Sequence, residues 1–366
     1  MLFNSLEFII FLVIVFFIYW KLKRKQQNFF LVLVSYVFYG WWDWRFLSLI
    51  IISSLVDFIV GRKIYQTEKK SSRKSFLFLS IFINLGLLGF FKYFNFFVAS
   101  FQSLLASLGV PEISMTTLNI ILPVGISFYT FQTMSYTIDI YRRKIEPTND
   151  LLQFFAFVSF FPQLVAGPIE RAANLLVQFG EKRIFKLNEA FDGCRQILWG
   201  FFKKIVIADT LAIAVNSVYK DLVNASGGQL LIATFFFAFQ LYCDFSGYSD
   251  IAIGTAKLFG FKLMRNFSYP YFSRNIAEFW RRWHISLSTW LRDYLYYPLV
   301  YSAKNKTRIW IYTSTFITFV LIGLWHGAGW NYIAMGALFG FYLVFSSITK
   351  NIRKKIAKFI SLRKSS

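Results

Sequence analysis

Residues 309–348 read IWIYTSTFITFVLIGLWHGAGWNYIAMGALFGFYLVFSSI, and this stretch decides the fold class. It holds no Asp, Glu, Lys or Arg, and its one histidine, His326, stands in the glycine-bearing interval between two apolar runs. Ile309–Trp325 and Trp330–Ile348 each approach the ~20 apolar residues a helix needs to cross a bilayer. A backbone in hydrocarbon must satisfy its own polar groups, so each run reads as a spanning helix.

Working outward, seven more runs show the same character: Leu2–Trp20, Asn28–Trp42, Phe46–Val60, Phe76–Phe91, Leu118–Tyr141, Phe191–Val218 and Leu230–Phe259. The expectation is an all-α, multi-pass membrane protein with nine spans. Several runs have only about 15 strongly apolar residues, a deficit that flanking aromatics or local bilayer thinning can offset. A further charge-free run, Leu151–Ala166, ends at Gly167-Pro168 and reads as a re-entrant helix. The composition agrees: of 366 residues, 56% are hydrophobic, 21% aromatic and only 16% charged, more apolar surface than a soluble core can hide.

The net charge of +22 does not indicate nucleic-acid binding, because the basic residues lie between apolar runs. There they set orientation and meet anionic headgroups of the bilayer. With the N-terminus outside, the inner segments 21–27, 61–75, 142–186, 262–308 and the tail hold 32 of the 40 Lys and Arg, Arg171 being left with the re-entrant element. The first span precedes its basic cluster, the reverse of a secretory signal, so it reads as retained. Residues 1–349 then form one membrane domain and 350–366 a basic cytoplasmic tail. Cys194 and Cys243 lack the spacing of a disulfide framework or a metal site, and no bound metal is expected.

Three stretches carry candidate chemistry. In segment 262–308, Ile276, Phe279, Trp280, Trp283, Leu287, Trp290, Leu291 and Tyr294 recur at helical spacing. They predict one amphipathic interfacial helix, with Arg281, Arg282, His284, Ser288 and Arg292 on its other faces. Two readings are open: a basic anchor, or guanidinium groups that bind the phosphates of an activated donor. The second stretch, Tyr242 to Asp250, holds Asp244, Ser246 and Asp250. Its carboxylates, six residues apart, point to different faces and should meet arginines or backbone amides at a helix break. No G-x-S-x-G elbow supports a hydrolase. In the third, His326 between Trp325 and Gly327 is either a structural histidine or a general base for a hydroxyl attacking a carbonyl. Gly327 and Gly329 allow tight backbone geometry, and Trp325 can wall a cavity.

Together, Trp-Arg-Arg-Trp-His at 280–284, Tyr-Cys-Asp-Phe-Ser-Gly-Tyr-Ser-Asp at 242–250 and Leu-Trp-His-Gly at 324–327 resemble the membrane-bound O-acyltransferase family. Pro-Val-Gly-Ile-Ser-Phe-Tyr at 123–129 and Phe-Pro-Gln-Leu-Val-Ala-Gly-Pro-Ile at 161–169 add to this. The resemblance covers about residues 1–348 and is strongest to the bacterial alginate O-acetylation branch, beside the D-alanyl-lipoteichoic acid transfer proteins. It implies a ring of tilted helices around a thin centre, His326 as catalytic residue and His284 in the inner funnel. It also implies acetyl-CoA or another cytosolic acyl thioester as co-substrate, with no bound cofactor. The acceptor would be an extracytoplasmic polysaccharide or an acetyltransferase-like partner protein. The implied location is the bacterial inner membrane, N-terminus outside and C-terminus in the cytoplasm. Relatives of that branch continue with further helices past Ile348. The alternatives are therefore a truncated inactive relative, a non-catalytic polysaccharide translocator, or a scaffold.

Overall fold

The computed structural model describes residues 1–110, 117–165, 167–305 and 307–364. Ala166, the expected end of the re-entrant run, and the last two tail residues lie outside the described residues. Among those described, every regular element is helical. The helices are α1 (Leu6–Tyr19), α2 (Arg24–Asp43), α3 (Leu47–Gln66), α4 (Lys70–Ser107), α5 (Ile126–Tyr141), α6 (Leu151–Ser159), α7 (Phe161–Leu164), α8 (Ala172–Gly180), α9 (Leu187–Phe201), α10 (Thr210–Tyr219), α11 (Gly227–Leu258), α12 (Ile276–Arg282), α13 (Ile285–Leu291), α14 (Tyr297–Ser302), α15 (Arg308–His326), α16 (Trp330–Ile348) and α17 (Lys350–Lys364).

Five helical stretches are long and apolar enough to span a bilayer: Arg24–Gln66, Lys70–Ser107, Gly227–Leu258, Arg308–His326 and Trp330–Ile348. The first contains both α2 and α3, divided by a 3₁₀ turn at Trp44–Phe46 where the Asp43 carboxylate accepts from the Arg45 amide. Helix length accounts for two of the four spans by which the count falls short of nine, and the joining of α2 with α3 for a third. At 1.5 Å per residue, the 14 residues of α1 and 16 of α5 reach roughly 21 and 24 Å, less than the ~30 Å hydrocarbon core.

The chain divides into two compact units, and the division falls within α4. The first comprises residues 1–86 and 123–267. Here α3, α4 and α5 are joined by a buried polar cluster. Ser80 and Asn84 donate to the Asp57 carboxyl at 2.5 and 2.8 Å, while Ser53 and Thr133 donate to Asn84 at 2.8 and 3.1 Å. The charge-free run read as a re-entrant helix is two short helices, α6 and α7, divided at Phe160. Phe154, Phe157, Phe160, Phe161 and Leu164 are all buried. Irregular backbone at membrane depth is tolerated where protein surrounds it. Helix α9 runs through a π-helical stretch, Phe202–Asp209, into α10. It packs on α11 through paired glycines: a Cβ on Gly200 would lie 2.7 Å from the Gly247 carbonyl, and one on Gly254 would lie 2.6 Å from that of Gly193. Such small-residue contacts let membrane helices approach backbone to backbone.

The second unit comprises residues 87–122 and 268 onward. The single amphipathic helix expected over 276–294 is not formed. Helix α12 stops at Arg282, His284 adopts a left-handed φ of 44°, and α13 starts at Ile285. A continuous helix would have held His284 on the polar face beside Arg281; the break instead buries it completely. Beyond α13 a π turn, Arg292–Tyr296, leads into Pro298 of α14, which has no amide hydrogen to continue the ladder.

Candidate active site

The site is built on the α15–α16 hairpin. A Cβ on Gly323 would meet the Tyr332 carbonyl at 2.2 Å, and one on Gly336 would meet that of Phe319 at 2.3 Å, so the two backbones touch. This close crossing fixes the turn 327–329. Gly327 and Gly329 have φ of −166° and −171°, extended values open to any residue, so unusual backbone geometry is not why they are glycines. Space is the reason at Gly327, where a Cβ would strike the Tyr332 ring at 2.1 Å.

His326 ends α15, partly exposed, with no hydrogen bond to its ring among the described residues. Its ring lies edge-on to Trp325 (centroids 5.1 Å, 75°), and Trp325 in turn meets His284 (5.8 Å, 66°). The two histidines, distant in sequence, are thus brought to one tryptophan. His284 is wholly buried with Nδ1 3.4 Å from Ser286 Oγ. Burial pushes its imidazole well below the usual histidine range, and the neighbouring His326 adds to the effect. It is therefore neutral at physiological pH. A non-glycine residue in the left-handed region carries about 1–3 kcal/mol of backbone strain, held here by the surrounding packing.

Two residues just beyond the expected span Phe76–Phe91 belong to this site. Lys92 lies well inside α4, where its ammonium donates to the Trp325 carbonyl and sits 5.4 Å from the Trp325 ring centroid. Tyr93 donates to the Leu324 carbonyl at 2.8 Å. Together they engage carbonyls in the last turn of α15, which lack intrahelical partners. The available signal was a lone lysine in the apolar run Leu-Leu-Gly-Phe-Phe-Lys-Tyr-Phe, an expensive residue at membrane depth.

A cavity of about 660 Å³ opens beside the hairpin, with Arg281 and Arg292 at its polar part. Thr315, Thr318, Phe319 and Ile322 form one wall. Their three- and four-residue steps follow one face of α15, and the next residue in that row is His326. Trp280 lines the cavity too, edge-on to Phe319 (5.0 Å) and Phe339 (5.1 Å). Arg282 turns away to Glu278 at 2.6 Å, and Arg292 pairs with Asp293 at 2.8 Å. Trp283 stacks on Phe279 (5.5 Å, 17°) as part of the packing of α12.

Asp244, Ser246 and Asp250 lie on α11 in the first unit. Their partners are lysines of the π-helical stretch, not arginines or backbone amides at a break. Lys204 pairs with Asp244 at 2.5 Å and Asp209 at 2.8 Å. Lys203 pairs with Asp250 and donates to Ser246 at 3.0 Å, and Gln196 donates to Asp250 at 2.7 Å. Helix α11 is unbroken here, and the wide π turn brings two consecutive lysines to carboxylates six residues apart.

The sequence pattern of the membrane-bound O-acyltransferase family matches residues 142–363, which includes both histidines and the cavity. The chain belongs to this family. As a membrane-bound O-acyltransferase it is 41% identical over 345 residues to a protein of Pseudomonas putida named probable alginate O-acetylase, covering 94% of this chain and 70% of that one. A protein of the same name from Pseudomonas aeruginosa is also 41% identical, with 94% and 65% covered. The peptidoglycan O-acetyltransferase of Helicobacter pylori is 36% identical over 375 residues, with 94% and 70% covered. The chain thus spans about two thirds of the length of these relatives.

Proposed function

We propose that this chain transfers an acyl group, acetyl by analogy with its relatives, from a cytosolic thioester to a hydroxyl of an extracytoplasmic polysaccharide or to a partner transferase that modifies one. The observation that carries this reading is the row Thr315, Thr318, Phe319 and Ile322, which lines the arginine-bearing cavity, with His326 one helical turn beyond Ile322 on the same face. Acetyl-CoA, or another acyl thioester, would place its phosphates by Arg281 and Arg292 and its acyl end toward Ile322. Guanidinium groups suit phosphate geometry.

In the reaction, His326 takes the proton of the acceptor hydroxyl as that oxygen attacks the thioester carbonyl carbon. The tetrahedral adduct collapses, the C–S bond breaks, and the thiolate leaves with the proton returned from the imidazolium. Trp325 holds both histidine rings in place, and neutral His284 supports that geometry. Nine spans, the N-terminus outside and the basic segments facing the cytoplasm of a bacterial inner membrane complete the proposed arrangement. The positive-charge bias supports it.

The test is acyl transfer in vesicles that carry acetyl-CoA, labelled in the acetyl carbons, on the side of Gln66. Label should reach an oligosaccharide or partner protein supplied on the Ser226 side. Equal label transfer by empty vesicles, or none with the protein present, would contradict the reading.

A further inference from the structure

Away from the histidines, the first unit carries a groove between α1 and α9 of about 630 Å³, lined by Phe8, Leu12 and Phe16 on one side and Phe191, Cys194 and Leu198 on the other. Every lining residue is apolar apart from the Cys194 thiol. Phe185 also lines it, its ring meeting Phe16 at 6.0 Å and Trp20 at 5.3 Å. Lys21 follows Trp20 and Lys186 follows Phe185, which sets both lysines one residue along the chain from that ring contact.

The surrounding backbone is fixed. Trp20 Nε1 donates to the Leu258 carbonyl at 3.0 Å, and Arg183 donates to Asn28 Oδ1 at 2.7 Å and to the Arg24 carbonyl at 3.2 Å. These bonds lay residues 182–186 against the start of α2. The rim then holds Lys21, Lys23, Arg24, Lys25, Lys182, Arg183 and Lys186 against two carboxylates, Glu181 and Glu189. Lys21, Lys23, Lys25 and Lys182 are exposed and make no ion pair among the described residues, while Lys186 holds an exposed pair with Glu189 at 3.2 Å.

We infer that this groove and rim form a binding site for an anionic phospholipid, its acyl chain along α1 and α9 and its phosphodiester among the lysines. Charge complementarity decides the occupant. An apolar trough alone would take any lipid tail, whereas lysines near a headgroup plane favour an anionic headgroup. The arrangement is independent of the acyl-transfer reading.

Cys194 gives a direct readout, being exposed and in the groove while Cys243 is buried. In a C243S background, the rate of Cys194 alkylation by N-ethylmaleimide is followed by intact mass in mixed micelles. Phosphatidylglycerol should slow it by about tenfold or more, at a content where phosphatidylcholine changes it by about twofold at most. Inorganic phosphate should leave it unchanged. The combined variant Lys21→Gln, Lys182→Gln, Lys186→Gln should lose the preference. Replacing Lys69, Lys70 and Lys74 with Gln should keep it. Should the triple variant fold poorly, Lys182→Gln alone should still lower the preference. Equal protection by both lipids, protection by phosphate alone, or a preference surviving loss of the rim lysines overturns the site.

Discussion

Gly327→Ala isolates the geometry of the turn that holds His326. A methyl at position 327 would lie 2.1, 2.3 and 2.7 Å from Cε2, Cδ2 and Cζ of Tyr332. Ordinary contact begins near 3.4 Å, so the ring or the turn must retreat by about 1.3 Å. The Tyr332 amide is bonded to the Gly329 carbonyl at 3.2 Å, and its carbonyl lies against Gly323. Much of the shift therefore falls on the turn, and His326 is the adjacent residue. Displacing a catalytic group by 1 Å costs on the order of 10² in rate, while overpacking costs stability by roughly 1–3 kcal/mol. Acyl transfer, normalised to membrane abundance, should drop about a hundredfold in Gly327→Ala while most of the protein remains folded. In a Tyr332→Ala background the same substitution should cost little, since the clashing ring is gone. Gly86→Ala, with nothing within 4 Å of the added methyl, should leave activity unchanged. A wild-type rate for Gly327→Ala, or an equal loss with and without the Tyr332 ring, would refute the reasoning.

Three further outcomes are expected. Arg281→Gln and Arg292→Gln should raise the KM for the thioester about tenfold, the scale of a charged hydrogen bond. Arg282→Gln, which breaks the pair with Glu278, should act on thermal stability, and a larger KM effect for Arg282→Gln than for the other two would contradict the cavity assignment. Glu170 is buried, and desolvation lifts its carboxyl from about 4.5 to about 7. The folded protein thus keeps a proton that the unfolded chain loses, so this stabilisation is full below about pH 4.5 and fades as pH rises through 7. The thermal midpoint of the wild type relative to Glu170→Gln should fall between pH 5 and 8, and a rise would contradict the burial argument. In a cysteine-free background, cysteines at Gln66 and Thr307 should resist an impermeant thiol reagent in intact cells and one at Ser226 should react; the reverse pattern would overturn the orientation.

The long apolar helices were legible because the bilayer imposes a length and a composition that few other structures satisfy. Ile309–Trp325 and Trp330–Ile348 match α15 and α16 within a residue. The break at His284 was not legible. The aromatic periodicity of 276–294 persists through it, and the cause is tertiary: burial of the imidazole beside Trp325. The lysine partners of Asp244 and Asp250 were equally hidden, because a π-helical stretch shifts side-chain phase without changing composition. Lys92 was missed for a different reason. The apolar run around it was cut at the first charge, although α4 continues well beyond it. The glycines at 327 and 329 were read as serving tight backbone geometry, but both are extended, and the physical demand at 327 is the Tyr332 ring, which only the folded hairpin reveals.

The most direct test of the account is acyl transfer by His326→Ala and His284→Ala at equal membrane abundance. With His326 as the base, His326→Ala should lose about 10²–10⁴-fold at every donor concentration, the usual contribution of a positioned general base. His284→Ala should lose less, with much of its deficit recovered at high donor. Equal and small losses in the two variants would contradict the catalytic role of His326.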